Sequence, residues 1–105
     1  MDSELEKHSK LCPVRKALAI LGSKWVFIII MELDKPCRFN DLKRSITDIS
    51  EKVLIDKLKT LEQAKFITRK DFKTIPPKVE YALTDRGREV LKLIPQLTKI
   101  GKELS

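Results

Sequence analysis

Apolar residues recur at helical spacing in the first part of the chain and predict two helices. The first is expected from Pro13 to Leu21, because proline suits the first turn of a helix and the following Gly22 suits its end. Residues 24–33 are apolar on every side and predict a helix buried in the middle of the fold, although a short buried strand has the same pattern. Residues 1–10 are polar and are expected to form a flexible tail.

A second pair of helices is predicted after the break at residues 34–36. Phe39, Leu42 and Ile46 are spaced for a short helix, and residues 48–50 then turn the chain. Ser50 is placed as the N-cap of the next helix. The stripe of that helix that faces the core consists of Val53, Leu54, Leu58 and Leu61.

The hydrophobic period changes from helical to alternating after Ala64. Residues 66–74 and 79–83 predict a two-stranded hairpin around a turn at 75–78, and such a hairpin is stable only when it packs on something else. Thr84 is placed as the N-cap of a last helix, which Pro95 should kink or interrupt. The predicted fold class is mainly α with a small β-hairpin, in one domain over residues 1–105.

The charge of the chain indicates which kind of partner it binds. It has 22 Lys and Arg against 15 Asp and Glu, a net charge of +7, of which +2 falls in residues 1–50 and +5 in residues 51–105. An excess of this size favours a polyanionic partner, although it also suits a merely soluble, lysine-rich surface. The position of the basic residues must therefore decide.

Several kinds of protein are excluded by the composition. The chain has no Gly-rich phosphate loop and one histidine, His8, in the polar N-terminal segment, so we expect neither an enzyme nor a cofactor. Two cysteines and one histidine cannot supply the usual four ligands of structural zinc, so no metal is expected. The longest apolar run, Trp25 to Met31, is far shorter than the roughly 20 residues of a membrane span. The N-terminus resembles neither a signal nor a transit peptide, and we expect a soluble, cytoplasmic protein with no membrane partner.

The order of the predicted elements is that of a winged helix-turn-helix domain: two helices joined by a short turn, the second with a polar outer face, and then a basic hairpin. Residues 38–78 carry eleven basic and six acidic side chains, so the basic excess lies on this unit. We therefore predict binding to double-stranded DNA, with the Ser50 helix in the major groove.

Two sets of side chains are predicted to contact the DNA. Cations that neutralise phosphates give affinity without sequence preference, and this set is Arg38, Lys43, Arg44, Arg69, Lys70, Lys73 and Lys78. On the outer face of the Ser50 helix, lysine can donate to guanine, a carboxylate can accept from cytosine, and isoleucine can touch a thymine methyl group. This base-reading set is Ser50, Glu51, Lys52, Ile55, Asp56 and Lys59. The alternative is an ordinary solvated helix face.

Several short strings, specific through their order and spacing, resemble a known family. They are Cys12-Pro13-Val14, Gly22-Ser23-Lys24-Trp25, residues 38–44 and 49–54, residues 76–81, Leu83-Thr84 and Gly87. From Cys12 to about Gly101 the chain resembles the HxlR-type transcriptional regulators, relatives of the MarR winged-helix proteins. The resemblance implies a bacterial or archaeal DNA-binding regulator that dimerises through its first and last helices and uses residues 70–78 as the wing. It also implies a helix at 25–33 and an interruption at Pro95, while Ile100 stands where the family often has an aromatic residue.

A homodimer on a pseudo-palindromic operator is predicted, because one recognition helix reads only a few base pairs. The apolar residues of the first and last helices exceed the needs of so small a core and are assigned to the dimer interface: Leu18, Leu21, Leu93, Leu97, Ile100 and Leu104. The alternative is that these residues close the core of the monomer.

Cys12 is a candidate sensing thiol. It precedes Pro13 at the predicted N-terminus of a helix, with Arg15 and Lys16 after it, and both the helix dipole and the cations favour a thiolate. The resemblance adds that some relatives use a cysteine at this position as a sensor of oxidants or electrophiles. The alternative is a buried, inert cysteine, and Cys37 has no comparable support.

The alternative function is a winged-helix module that contacts protein or RNA without sequence-specific DNA binding, because a fold alone does not fix a function. The salt dependence of duplex binding distinguishes the two functions.

Overall fold

Pairs of helices are separated by short strands in the computed structural model, which describes residues 3–104 and, in side-chain detail, residues 12–104. Three strands form one antiparallel sheet in the order β1-β3-β2, and the helices pack around one core. The elements are α1 (Ser3–Leu21), α2 (Val26–Glu32), β1 (Cys37–Arg38), α3 (Phe39–Ser45), α4 (Glu51–Gln63), β2 (Ile67–Asp71), β3 (Val79–Leu83), α5 (Asp85–Leu91) and α6 (Ile94–Glu103).

Helix α1 begins at Ser3, so the predicted start near Pro13 is wrong. Pro13 lies inside the helix, where it has no N–H to donate to the carbonyl four residues earlier. Residues before it include the helix-favouring Glu4, Leu5, Glu6 and Lys7, which continue the helix toward the N-terminus. The predicted flexible tail covers residues 1–10. Residues 1 and 2 and the side chains of residues 3–10 lie outside the part of the chain that the structure describes.

Helix α2 lies at the centre of the core. Val26, Ile29 and Ile30 are fully buried, which confirms the helix and rules out the strand alternative. The expectation that α2 is buried on every side is wrong, because Ile28 and Met31 are exposed. Helices α1, α3 and α5 pack on α2 but leave this side of it uncovered within one chain.

Helices α3 and α4 form the helix-turn-helix. In the turn between them Asp48 has φ 72°, a left-handed conformation that aspartate tolerates better than most residues. Ser50 Oγ accepts a hydrogen bond from the Val53 N–H at 3.1 Å, which confirms the predicted N-cap. Leu54, Leu58 and Leu61 are buried and Val53 is half-buried, so α4 is fixed with its polar face outward.

The C-terminal end of α4 is tied to the start of α5. Lys65 has φ 64° and the Phe66 N–H donates to Leu61 O at 2.9 Å, the arrangement of a Schellman motif. Thr84 Oγ1 donates to Lys65 O and Arg86 Nη1 donates to Ala64 O, each at 2.6 Å. These bonds satisfy carbonyl groups that the helix leaves open and fix α4 relative to the rest of the domain.

The sheet has a third strand that the sequence did not predict. Strand β1 pairs with β3 so that Cys37 lies opposite Tyr81. The predicted two-stranded hairpin is therefore part of a three-stranded sheet. The sequence analysis missed β1 because a two-residue strand is too short to show an alternating pattern. Strand β2 also ends at Asp71 rather than Thr74, which leaves a longer turn between β2 and β3.

The last helical region is interrupted as predicted. Thr84 Oγ1 accepts a hydrogen bond from the Gly87 N–H at 3.2 Å and caps α5. Helix α5 ends at Leu91, and α6 begins at Ile94 with Pro95 in its first turn, where the missing N–H costs nothing. Within the described part of the chain, no helix is long and apolar enough to cross a membrane.

Candidate nucleic-acid interface

The outer face of α4 presents the side chains that the sequence assigned to base reading. Five of the six are exposed residues within the helix: Glu51, Lys52, Ile55, Asp56 and Lys59. Ser50 is exposed as well, but its hydroxyl oxygen is engaged as the N-cap, so its first role is to begin the helix. The half-buried Lys57 places its Nζ 3.9 Å from Oδ2 of the exposed Asp56, and a surface pair at this distance holds the carboxylate only weakly. The helix therefore offers cationic, anionic and apolar groups side by side.

Three of the predicted phosphate-binding cations lie on β1 and α3. Arg38 is exposed on β1, opposite Glu80 of β3, and Lys43 and Arg44 are in the last turn of α3. Arg44 Nη2 donates to Asp41 Oδ1 at 2.7 Å, and Asp41 Oδ2 accepts from the Arg38 N–H at 3.3 Å. A phosphate near Arg44 would have to compete with this carboxylate.

The wing, defined here as β2, β3 and the turn between them, carries its cations on both faces of the sheet. Arg69 lies opposite Tyr81 and shares the face toward α4, whereas Lys70 lies opposite Glu80 on the other face. The Nζ atoms of Lys70 and Lys78 lie 4.7 and 4.3 Å from the centroid of the Phe72 ring, within the range of cation–π attraction. Arg69 and Lys70 thus lie on opposite faces of the wing.

The turn of the wing is held by side-chain hydrogen bonds. Lys73 has φ 53°, and its N–H donates to Asp71 Oδ1 at 2.8 Å. Thr74 Oγ1 donates to Pro76 O at 2.9 Å. The fourth wing cation, Lys73, is therefore presented from an ordered turn at the exposed end of the sheet.

A cleft of about 400 Å³ separates α4 from β2. It is lined by Ile55, Leu58, Lys59, Glu62, Arg69 and Tyr81. The sequence analysis assigned Lys59 to bases and Arg69 to phosphates, and it gave Tyr81 no functional role. The strand register that brings Arg69 beside Tyr81 is a tertiary feature without a local signal in the sequence.

The two cysteines lie in different environments. Cys12 is exposed in the single chain, which contradicts the burial assumed in the alternative. It lies in the interior of α1, so the expected help from a helix N-terminus is wrong as well, because the dipole acts only within the first turn. Cys37 is half-buried; burial raises the pKa of its thiol, and the carboxylates of Asp41, Glu32 and Glu80 raise it further. Both effects favour the protonated thiol of Cys37 and lower its reactivity.

Most residues assigned to a dimer interface are exposed in the single chain. Leu18, Leu93, Leu97, Ile100 and Leu104 lie outside the core, so they do not close it. The assignment of Leu21 is wrong, because the end of α1 packs on α2 and Leu21 is buried there. The sequence missed further exposed apolar residues on α1 and α2, namely Val14, Ile28 and Met31. Ile28, Met31 and Leu97 line one shallow cleft of about 210 Å³ between α2 and α6.

Metal-binding residues do not cluster in the described part of the chain: none of its His, Cys, Asp and Glu side chains form a group of three or more that could hold an ion.

Comparison with known proteins identifies the family. The HxlR-like helix-turn-helix family model matches residues 20–105. An HTH-type transcriptional regulator of Halalkalibacterium halodurans is 41% identical over 97 residues, covering 90% of this chain and 86% of that protein.

Two solved structures have the same fold. A MarR-family transcriptional regulator from Porphyromonas gingivalis superposes with a TM-score of 0.83 and 44% identity, over 88% of this chain and 91% of that one. The redox regulator HypR in its oxidised form gives a TM-score of 0.80 and 33% identity, over 88% of this chain and 96% of that one. Transcriptional regulators are not enzymes, in agreement with the sequence prediction. This chain is a winged helix-turn-helix protein and belongs to the HxlR-like family of transcriptional regulators.

Proposed function

We propose that the protein acts in the cytoplasm as a homodimer that binds a pseudo-palindromic operator in double-stranded DNA. Helix α4 enters the major groove and the wing lies over the adjacent minor groove. The observation that carries this proposal is the outer face of α4, where Glu51, Lys52 and Ile55 are exposed while the leucines of the same helix are buried. An α-helix fits the major groove, and such side chains can discriminate base edges there.

The exposed apolar surface supports the dimer. Two copies of α4 read two half-sites about one helical turn apart, which gives the specificity that a single helix lacks. Val14 and Leu18 on α1, Ile28 and Met31 on α2, and Leu97 on α6 are exposed in one chain. Ile28, Met31 and Leu97 line one cleft, and exposed apolar surface of this kind is typical of an interface.

Replacing Lys52 with alanine tests the base-reading face. Lys52 is exposed on the first turn of α4, and the loss of its donor should cost about 1–3 kcal/mol of binding to the operator and little binding to a random duplex. The measurement is the ratio of the two dissociation constants by fluorescence anisotropy, with an operator selected from a random duplex pool.

Lys73→Ala is the matched control for Lys52→Ala. Lys73 lies in the turn of the wing, so its loss should weaken specific and random duplexes alike and lower the salt slope by roughly one unit. An unchanged ratio in Lys52→Ala would show that α4 reads bases through other side chains.

We infer that oxidants or electrophiles regulate DNA binding through Cys12. Peroxide takes a cysteine thiolate to sulfenic acid and releases hydroxide. Cys12 is exposed on the helix that carries Val14 and Leu18, but its spacing from them places it on another face of α1. A polar adduct there would act on the proposed interface by shifting the helix. The structural similarity of this chain to the redox regulator HypR supports the same response.

Oxidation before the binding assay tests this regulation. Treatment with a mild oxidant should weaken operator binding by wild type and by Cys37→Ser, but not by Cys12→Ser. Cys37→Ser is a suitable control, because the raised pKa of the Cys37 thiol favours its protonated, unreactive form. Equal loss of affinity in wild type and in Cys12→Ser would remove Cys12 from the mechanism.

A further inference from the structure

A nearly buried hydroxyl without a protein partner opens into the cleft between α4 and β2. Tyr81 is 9% exposed, and its hydroxyl makes no hydrogen bond to any residue from 12 to 104. Among those residues, no fully buried side-chain nitrogen or oxygen lacks a partner, so this hydroxyl reaches the surface of the cleft. A tyrosine hydroxyl that reaches the surface of a cleft can donate to a ligand that enters it.

Two cations flank the same cleft. Lys59 comes from α4 and Arg69 from β2, where the strand register sets Arg69 opposite Tyr81. Neither cation makes an ion pair within the described part of the chain. Glu62 is the one carboxylate in the lining, so the lining carries one net positive charge. The cleft therefore joins an ammonium, a guanidinium and a hydroxyl donor around a space of about 400 Å³.

This set of groups suits a phosphate. Lysine and arginine have donors and no acceptor, and the tyrosine hydroxyl adds one more donor. Hydrogen bonds from such donors to a charged oxygen are about twice as strong as those between neutral groups. Ile55 and Leu58 supply the apolar part of the lining.

The position of the cleft selects the source of the phosphate. With α4 in the major groove and the wing over the minor groove, the sugar–phosphate strand that separates the two grooves has to pass between α4 and β2. The cleft lies between these two elements. This step rests on the proposed function.

We propose that the cleft binds one phosphodiester of the operator backbone, with the Tyr81 hydroxyl donating to it and Lys59 and Arg69 on either side. Lys59 thereby moves from the base-reading set to the phosphate-binding set. Because Tyr81 lies in the central strand and is largely buried, its hydroxyl has a fixed position and sets the register of α4 along the duplex.

Tyr81→Phe tests the site by removing one oxygen atom. The hydroxyl has no partner among the described residues, so the melting temperature should stay within about one degree of wild type. Operator affinity should fall about tenfold, because a hydrogen bond to a charged group is lost. Glu62→Gln removes the carboxylate from the lining and should instead bind the operator a few-fold more tightly.

Chemically altered operators identify the phosphate. Each backbone phosphate is replaced in turn by an uncharged methylphosphonate at the equivalent position of both half-sites, and wild type and Tyr81→Phe are titrated against each duplex. At one position wild type should lose affinity and the difference between the two proteins should vanish. A Tyr81→Phe protein that binds the operator as tightly as wild type would overturn the inference and leave the proposed function intact. A difference that persists at every position would likewise exclude the backbone as the ligand.

Failure of the proposed function has a different signature, since wild type would then bind no duplex in the selected pool. If Tyr81→Phe lowers the melting temperature, Arg69→Gln replaces it in the same methylphosphonate series. Arg69 is exposed and makes no ion pair among the described residues, so its change should leave the fold intact. In Arg69→Gln, replacement of the same phosphate by methylphosphonate should then no longer lower operator affinity.

Discussion

Leu97→Glu should separate the proposed dimer into monomers and weaken operator binding by about 10²–10⁴-fold, because binding of the second half-site is no longer intramolecular. Leu97 lies on α6 and is 44% exposed in the single chain, so a glutamate there is solvated in the monomer and does not disturb the core. In the proposed dimer the same carboxylate would be buried beside the apolar side chains of α2, and burial of a charge in apolar surroundings is costly.

Two measurements on one sample check this prediction. Sedimentation equilibrium gives the mass of the protein, and fluorescence anisotropy with the selected operator gives its affinity. Lys102→Gln is the matched control, because it changes the net charge by the same amount on another side of α6 and should keep both the dimer and the affinity. A Leu97→Glu protein that remains dimeric would place the interface elsewhere. A monomeric Leu97→Glu protein with wild-type affinity would show that operator binding needs no dimer.

Local signals in the sequence predicted the framework of the fold well. Ser50 and Thr84 were identified as N-caps from residue type and position alone, since a capping side chain bonds to an N–H only three residues later. The interruption at Pro95 and the buried stripe of α4 also depend on nearest neighbours along one helix. Features with this short range can be predicted from one sequence.

Features that depend on distant contacts were missed or misplaced. Strand β1 exists because β3 offers it an edge, and two residues carry no periodic pattern. Leu21 repeats at the same spacing as Val14 and Leu18, yet it is buried because α2 crosses the end of α1 there. Periodicity shows which side of a helix is apolar, but it does not show how far along that side the core extends.

The candidate site was predicted only in its composition. The sequence identified the cations and the outer face of α4, and the structure presents that face as exposed. The sequence alone could not show that Arg69 and Lys70 lie on opposite faces of the wing, or that Tyr81 lies near Lys59. Both features depend on the register of β2 against β3. The error at Cys12 has a related cause, since the length of α1 was judged from one proline.

Raising monovalent salt from 50 to 200 mM should weaken binding to any duplex by about 10³–10⁵-fold, the range expected when six to ten phosphates are neutralised. The prediction rests on exposed cations such as Arg69, Lys70 and Lys73, which are repeated in the second subunit of the proposed dimer. Arg44 should contribute less to the slope, because its ion pair with Asp41 must first be broken.

The same titration decides between the proposed regulator and an interaction module. A plot of log K against log salt with a steep negative slope, and an added preference for the pseudo-palindrome, is the expected result. Duplex binding that is weak and insensitive to salt, together with salt-insensitive binding to a protein partner, would favour the module. Tighter binding to RNA than to the duplex at every salt concentration would also contradict the proposal, since α4 fits the major groove of B-form DNA but not the deep, narrow major groove of RNA.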